Sequence, residues 1–207
     1  MNRILTILSL LACTLMAQAQ VITTKVEQST AEDYVLLLKK QGYQSYSVDV
    51  SALQNETYII EPVVKHYKNG KEAVNPFDFG VAFTSRDALT VCDRIRVGFM
   101  PGEMPAVVMM SFYVTETGAL TIPLVFDERK DPETGEVEKS YGYRPFTIDG
   151  IELGKFIPVA LCGAYWYDKK GGFFRFCGEN SISPAMSEDI LKSIEEYYIV
   201  GMIIKKQ

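Results

Sequence analysis

The aromatic side chains near residue 165 form the strongest ligand-binding pattern in this sequence. Tyr165, Trp166 and Tyr167 precede a turn at residues 168–171, and Phe173 follows it. Flat aromatic faces stack on sugar rings and on peptide side chains, and tryptophan and tyrosine recur at interaction hot spots. We therefore predict that these four residues contact a protein or a glycan. The competing interpretation is a core with a cross-strand aromatic ladder, because Trp166 points away from Tyr165 and Tyr167 in a strand.

The same hairpin positions two cysteines. If residues 168–171 form the loop, Cys162 lies directly opposite Cys177, within the distance range of a disulfide. A loop of five residues instead shifts the register by one and turns the two side chains to opposite faces. A bridge between Cys162 and Cys177 is therefore a hypothesis, in which Cys92 remains free.

Few residues in the chain suggest catalysis. His66 is the single histidine, so a site with several histidine ligands cannot form. Its period-two neighbours are mostly apolar, which favours a strand histidine with its own backbone or side-chain partner. The sequence contains no nucleophile elbow, phosphate-binding loop, dinucleotide-binding glycine pattern or paired-cysteine motif. We predict a non-enzymatic protein without a cofactor, and the alternative is a hydrolase that uses paired carboxylates.

Acidic side chains cluster in residues 127–136. Carboxylates are ligands that calcium prefers, but the spacing does not match the EF-hand pattern, and Arg129 and Lys130 interrupt the negative charge. We expect a solvated hairpin loop here and no metal site.

The composition is that of one ordinary globular domain. Of the 207 residues, 47% are apolar and 23% are charged, which excludes a disordered polymer and a small disulfide scaffold. The formal net charge is −5, and a negative protein repels phosphate. We therefore expect no nucleic-acid partner. The oligomeric state stays open.

The first nineteen residues have the pattern of a secretory signal peptide. Arg3 gives a positive start, residues 4–17 are predominantly apolar, and Ala17-Gln18-Ala19 supplies the small residues that surround a cleavage site. We predict removal of residues 1–19 and a single exported domain over residues 20–207.

The predicted location is the periplasm, the cell surface or the medium. A lipid anchor at Cys13 is the alternative, although the residues after Cys13 continue the apolar run, where a lipoprotein normally becomes polar. The mature chain has no apolar stretch long enough for a membrane span of about 20 residues.

Hairpin signals dominate the rest of the chain. The clearest is Asn69-Gly70 between the strand-like residues 58–68 and 71–74. Residues 29–42 and 183–198 instead have helix caps and helical spacing of apolar residues. We predict an α+β domain, mainly an antiparallel β-sandwich or strongly curled sheet, with an N-terminal and a C-terminal helix packed on it.

A third functional alternative is assembly into a fimbria or surface layer. Residues 21–26 and 199–204 are apolar strands that could pair with the sheet edge of a neighbouring chain. Pairing within their own sheet is the favoured interpretation.

The leader that ends in MAQAQ, residues 16–20, and the small α+β body behind it resemble secreted proteins of the Bacteroidetes. More narrowly, the chain resembles gut Bacteroides families that are classed as domains of unknown function. The resemblance covers most of the chain and brings no functional residue with it. It implies a periplasmic or surface location and a role in handling host or dietary material.

Overall fold

The structure is a computed structural model that describes residue 28 and residues 30–74, 80–86, 91–115 and 117–207. The predicted signal peptide, Cys13 and the strand expected at residues 21–26 lie outside the described residues. Contacts between Cα atoms divide the chain into two units, residues 1–35 and residues 36–207. Of the first unit, the structure describes Gln28 and residues 30–35, and all the strands below belong to the second.

Antiparallel strands make up most of the regular structure. The strands in chain order are β1 (Gln44–Asp49), β2 (Tyr58–Lys68), β3 (Lys71–Glu72), β4 (Phe83–Thr84), β5 (Arg94–Pro101), β6 (Val107–Tyr113), β7 (Ala119–Val125), β8 (Arg129–Lys130), β9 (Val137–Glu138), β10 (Tyr141–Pro145), β11 (Phe156–Ala164), β12 (Trp166–Asp168), β13 (Phe173–Arg175) and β14 (Glu196–Lys206). The helices are α1 (Ala31–Lys40) and α2 (Ile190–Ser193), and one 3-10 turn covers Ser51–Leu53.

The strands form two large sheets. One has the strand order β1-β5-β6-β7, and the other has the order β10-β11-β14-β2-β3, with β4 also paired to β2. Every pairing in them is antiparallel, which confirms the predicted sheet type. Phe99 and Met110 of the first sheet and Ile60 and Val200 of the second belong to one hydrophobic cluster. This shared core is consistent with a β-sandwich.

Two strands at the centre of the larger sheet are buried on both faces. One face of β11 and β14 contributes to the shared core, and the other carries Leu161 and Ile199. These side chains belong to a second hydrophobic cluster with Ile190, Leu191 and Ile194, in and beside α2. The near-continuous apolar sequence of β11 and β14 follows from this position between two layers.

The hairpins follow their turn sequences. Lys68 lies opposite Lys71, so Asn69 and Gly70 form a two-residue loop, and their φ values of +50° and +73° are those a type I′ turn requires. β6 and β7 also pair as antiparallel neighbours along their whole length.

The two helices differ from the expected ones in packing and length. Residues of α1 are all exposed, so the predicted burial of an N-terminal helix is not found. At the start of α1, the amide and hydroxyl of Thr30 both donate to Asp33 Oδ2, at 2.7 and 2.9 Å. The backbone bond from Thr30 is the main reason why the pKa of Asp33 is lowered. Neither helix of the described residues has the length and apolar character needed to cross a membrane.

The long helix predicted over residues 183–198 is not formed. Only Ile190–Ser193 is helical, and the chain becomes extended at Ile194, whose ψ is 116°. The helical spacing was misleading because the apolar side chains belong to two different elements, the short helix α2 and the strand β14. Ile190 packs in the second cluster, whereas Tyr198 belongs to β14 and to the shared core.

β14 lies inside the larger sheet, between β11 and β2. Residues 199–203 therefore have strand neighbours on both sides, Ile204 pairs with Ile60 of β2, and the strand offers no free edge to another chain. Pairing within the sheet is confirmed, and assembly through this strand, which the sequence left open, is wrong.

Candidate functional site

The four predicted binding residues lie in different environments. Trp166 packs against the second hydrophobic cluster. Tyr167 contacts Phe174 edge-on across the β12-β13 hairpin, with ring centroids 5.2 Å apart. Phe173, the first residue of β13, is 51% exposed. Tyr165, between β11 and β12, lines the cavity described below. The structure thus brings one of the four predicted residues to this cavity.

Cys162 and Cys177 are both free thiols, so the predicted bridge between them is not formed. The bridge required one continuous hairpin ladder, but β11 ends at Ala164 and β12-β13 is a separate two-stranded sheet. Within β11, Cys162 lies opposite Tyr143 on one side and Tyr198 on the other. Cys162 is consequently buried, whereas Cys177 is exposed.

A cavity of about 350 Å³ lies at the edge strands β1 and β10 of the two sheets. Its lining residues, here called the tyrosine pocket, are Gln44, Tyr46, Tyr141, Gly142, Tyr143, Arg144, Tyr165 and Phe176. This volume falls in the range of small-ligand sites, roughly 300–1,000 Å³. Four of the eight lining residues are tyrosines, and none has an aliphatic side chain.

Two glycines make room for the ring of Phe176. Gly142 lies opposite Gly163, and a Cβ atom at these positions would lie 2.1 and 3.0 Å from that ring. Phe176 stacks on Tyr165, with ring centroids 5.5 Å apart and an interplanar angle of 24°. The guanidinium carbon of Arg144 lies 4.7 Å from the Phe176 centroid. The glycine pair therefore positions Phe176, and Phe176 orients Tyr165 and Arg144.

The hydroxyl groups of Tyr141 and Tyr143 are buried, and neither has a partner within hydrogen-bond distance among the described residues, although the side chain of Arg129 interacts with the Tyr141 phenol. Burial is the main cause that raises the pKa of both phenols. The Cys162 thiol and the phenols of Tyr141, Tyr46 and Tyr165 raise the pKa of Tyr143 further, so these groups converge on one small volume. A buried hydroxyl without a partner costs about 1–3 kcal/mol, which a hydrogen-bonding ligand would recover.

Two arginines bring positive charge to the same region. Arg144 donates from Nε to the carbonyl oxygen of Glu179 at 2.6 Å. Arg129 donates from Nη1 to the carbonyl oxygen of Tyr165 at 2.6 Å, and its guanidinium carbon lies 5.2 Å from the Tyr141 ring centroid. Nε of Arg129 is buried without an acceptor in the described part of the chain. Both guanidinium groups therefore face backbone carbonyls and aromatic rings.

His66 belongs to a separate buried cluster with Glu196. Its Nε2 atom lies 2.8 Å from Glu196 Oε1, and its ring stacks on Tyr198 with centroids 4.2 Å apart. Glu196 also accepts the backbone N–H of Asp127 at 2.7 Å and lies 3.2 Å from Lys68 Nζ. The predicted strand histidine with a side-chain partner is thus confirmed. Because Glu196 is fully engaged, the cluster ties β2, β14 and the end of β7 together.

Two aspartates line another cleft, where the alternative hydrolase could place its acids. Asp49 and Asp149 both border this cleft, whose volume is about 600 Å³. The Asp49 carboxylate accepts the Ser51 N–H at 2.9 Å, and hydrogen bonds from Ser51 lower the pKa of Asp49. A general acid needs a raised pKa, so Asp49 does not fit that role.

The acidic segment 127–136 contains the β8-β9 hairpin. Its turn is held by Asp131, whose Oδ1 accepts the backbone N–H groups of Glu133 and Thr134 at 2.8 and 2.9 Å. These bonds lower the pKa of Asp131. Among the residues that the structure describes, no three His, Cys, Asp or Glu side chains are grouped so that they could hold a metal ion.

Sequence reasoning missed most of the tyrosine pocket. Its clearest local signal is the run Tyr141-Gly142-Tyr143-Arg144, in which two tyrosines share one face of a strand and a glycine lies between them. Tyr46 and Phe176 carry no comparable signal, because only the fold brings them to this strand.

These observations define an antiparallel β-sheet domain with a polar, tyrosine-lined cavity at its edge. The chain belongs to the family described as Domain of unknown function (DUF5041), whose profile matches residues 13–206. Neither the curated proteins nor the solved structures gave a match to the chain. Membership of a family of unknown function agrees with the resemblance drawn from the sequence.

Proposed function

We propose that the protein is an exported, non-enzymatic domain that binds a glycan in the tyrosine pocket. The observation that carries this proposal is the aromatic lining of the pocket, together with the buried hydroxyl of its lining residue Tyr143, which has no hydrogen-bond partner among the described residues. Sugars present dense hydroxyl groups that can satisfy such phenols, and their apolar ring faces stack on aromatic side chains such as Tyr165.

The lining of the pocket favours a glycan over a protein partner. Peptide recognition usually anchors apolar or aromatic side chains in pockets with apolar walls. The tyrosine pocket instead combines phenols, one amide and one guanidinium, and none of its lining residues is aliphatic. Its partners would therefore be polyhydroxylated molecules.

A glycan and peptide array with the purified domain tests this proposal. We expect binding to glycans, and at least about a tenfold loss of affinity for Tyr165→Ala in calorimetry with the best array ligand. Phe173→Ala is the matched control, because Phe173 is exposed outside the pocket and should leave affinity unchanged. Thermal unfolding of both variants verifies that they fold.

Several outcomes would overturn it. Binding to peptides without glycans would establish the protein partner instead. A folded Tyr165→Ala variant with unchanged affinity would exclude the tyrosine pocket as the site. Turnover of a glycan that disappears on Asp149→Asn would favour the hydrolase.

The export part of the proposal rests on residues 1–19 and on the resemblance to secreted Bacteroidetes proteins. We expect the exported protein to begin at Gln20, which N-terminal sequencing of the periplasmic or secreted fraction measures. A mature chain that retains Met1 would overturn export by cleavage. A lipid-modified Cys13 as the first residue would establish the anchored form.

A further inference from the structure

We propose that the unit recognised in the tyrosine pocket is an acidic sugar, which carries a carboxylate or a sulfate group. This inference rests on the proposed function and specifies the chemical class of the glycan. It is carried by the excess of hydrogen-bond donors and positive charge at the pocket.

The first observation is the sign of the charges that reach the phenols. Arg144 acts against the burial that raises the pKa of Tyr46. At Tyr141, Arg129 acts against burial, whereas the more weakly acting carboxylate of Glu196 raises the pKa. Both guanidinium groups are therefore close enough to the pocket for their charge to act inside it. The lining residues include no aspartate or glutamate.

The second observation is that neither arginine has a carboxylate partner in the described part of the chain. The three hydrogen bonds of Arg144 go to the carbonyl oxygens of Glu179, Tyr143 and Phe176. A guanidinium carries five N–H groups, so two remain for another acceptor. Arg144 contacts only the backbone carbonyl of Glu179. The carboxylate of Glu179 instead accepts the backbone N–H groups of Asp189 and Ile190.

The third observation is an orphaned donor. The hydroxyl of Tyr143 is buried without a hydrogen-bond partner among the described residues. An anionic oxygen can accept from a hydroxyl and from a guanidinium, and charge-assisted hydrogen bonds are roughly twice as strong as neutral ones. A neutral sugar would satisfy the hydroxyl but would leave the guanidinium charges uncompensated. The pocket is thus a local cationic site on a chain whose net charge is −5.

Matched pairs of ligands test the inference on the unaltered domain. One pair is an oligogalacturonate and the same oligosaccharide after reduction of its carboxyl groups. The other is a sulfated galactan oligosaccharide and its desulfated form. We expect the acidic member of one pair to bind at least about tenfold more tightly in calorimetry than its neutral counterpart. The pair that shows this preference identifies carboxylate or sulfate as the charged group.

Variants then assign the preference to the pocket. Arg144→Gln should abolish most of the preference, lowering the affinity for the acidic member about tenfold more than the affinity for the neutral member. Tyr143→Phe, which removes one buried hydroxyl, should weaken acidic and neutral members alike. Arg94→Gln is the control, because Arg94 is an exposed arginine on β5 outside the pocket.

The outcomes separate the inference from the proposed function. Equal binding of acidic and neutral members overturns the acidic-sugar inference but leaves glycan binding intact. Loss of all glycan binding on the array overturns both. A preference for the acidic member that survives in a folded Arg144→Gln variant also overturns the inference, because another part of the protein then recognises the negative charge of the sugar.

Discussion

Tyr143 lies directly opposite Cys162 on the neighbouring strands β10 and β11. The pairing places a phenol beside the buried thiol, where the sequence suggested a second sulfur atom. Tyr143 stacks on Phe99, with centroids 5.1 Å apart, so its hydroxyl end is held at the pocket by the shared core. One cross-strand pair therefore explains both the free thiol and the position of the pocket's central phenol.

The first prediction concerns thiol reactivity. In the folded protein, we expect iodoacetamide to label Cys177 and to spare Cys92 and Cys162. Burial raises the pKa of Cys92 to about 11 and raises that of Cys162 well above its ordinary value, so little thiolate forms.

Peptide mass spectrometry after brief labelling at pH 8 measures this pattern. Labelling in guanidinium chloride, where Cys92, Cys162 and Cys177 should all react, is the control. Rapid modification of Cys162 in the folded state, or a peptide in which Cys162 and Cys177 are joined, would contradict the structure.

The second prediction concerns the buried carboxylate. In Glu196→Gln, an amide replaces the carboxylate whose two oxygen atoms contact His66 Nε2 and the Asp127 N–H. An amide has only one oxygen atom, so it cannot accept hydrogen bonds at both positions. We expect a loss of about 1–3 kcal/mol in the free energy of unfolding, because a buried polar group then lacks its partner. Urea denaturation measures it.

Glu61→Gln is the matched control for Glu196→Gln. Glu61 pairs with Lys205 at 2.7 Å on the surface of the same two strands, and exposed pairs contribute about 0–1 kcal/mol. Equal losses for the two variants would mean that the buried cluster does not stabilise the sheet as proposed.

The third prediction concerns close packing in the larger sheet. A Cβ atom at Gly201 would lie 2.2 Å from the carbonyl oxygen of Ile157 and 2.6 Å from the Phe156 ring. We expect Gly201→Ala to destabilise the protein by at least about 1–3 kcal/mol, because the strand must shift.

Gly150→Ala provides the comparison, since a Cβ atom there meets nothing within 4 Å. Its effect should stay within about 0.5 kcal/mol. Thermal and urea unfolding of both variants give the two values, and a neutral Gly201→Ala would show that the sheet tolerates a wider spacing.

The fourth prediction concerns alkaline pH. Burial raises the pKa of Tyr141, Tyr143 and Tyr198 above the ordinary value of 10.0. The folded state holds these protons more tightly than the unfolded state. The contribution of these phenols to the free energy of unfolding should therefore be fully present below pH 10. It should fall as the pH rises above 10, by at most about 1.4 kcal/mol per pH unit for each phenol.

Urea unfolding between pH 8 and pH 11 measures this slope. Tyr143→Phe removes one of the phenols and should make the slope shallower. Tyr113→Phe, which removes a tyrosine that is 39% exposed, should change it less. An unchanged slope for Tyr143→Phe would exclude its hydroxyl as a source of the pH dependence.

Local sequence patterns predict those parts of the fold that neighbours in the chain determine. Asn69-Gly70 fixes a hairpin because its two residues favour positive φ values. The helix predicted up to Tyr198 fails for the opposite reason. Tyr198 pairs with His66 far along the chain, and this long-range pairing prevails over the local helical spacing.

The candidate site was predictable only in part. Tyr165 is recognisable because it lies in an aromatic run, but the sequence cannot separate it from Trp166, which packs in a core. The pocket joins Tyr46, Tyr143 and Phe176, whose positions in the chain are unrelated. Their meeting depends on how two sheet edges align, and no residue spacing encodes that alignment.

The position of β14 also bears on how the protein is made. β2 receives one of its two neighbours from residues 196–206, which the ribosome adds about 130 residues later, as the separation of His66 and Glu196 shows. Until then, the middle of the larger sheet is missing, and β2 and β11 have nothing to join them. The larger sheet can therefore form only after residues 196–206 have been synthesised, and β2 and β11 stay without the strand that joins them until then.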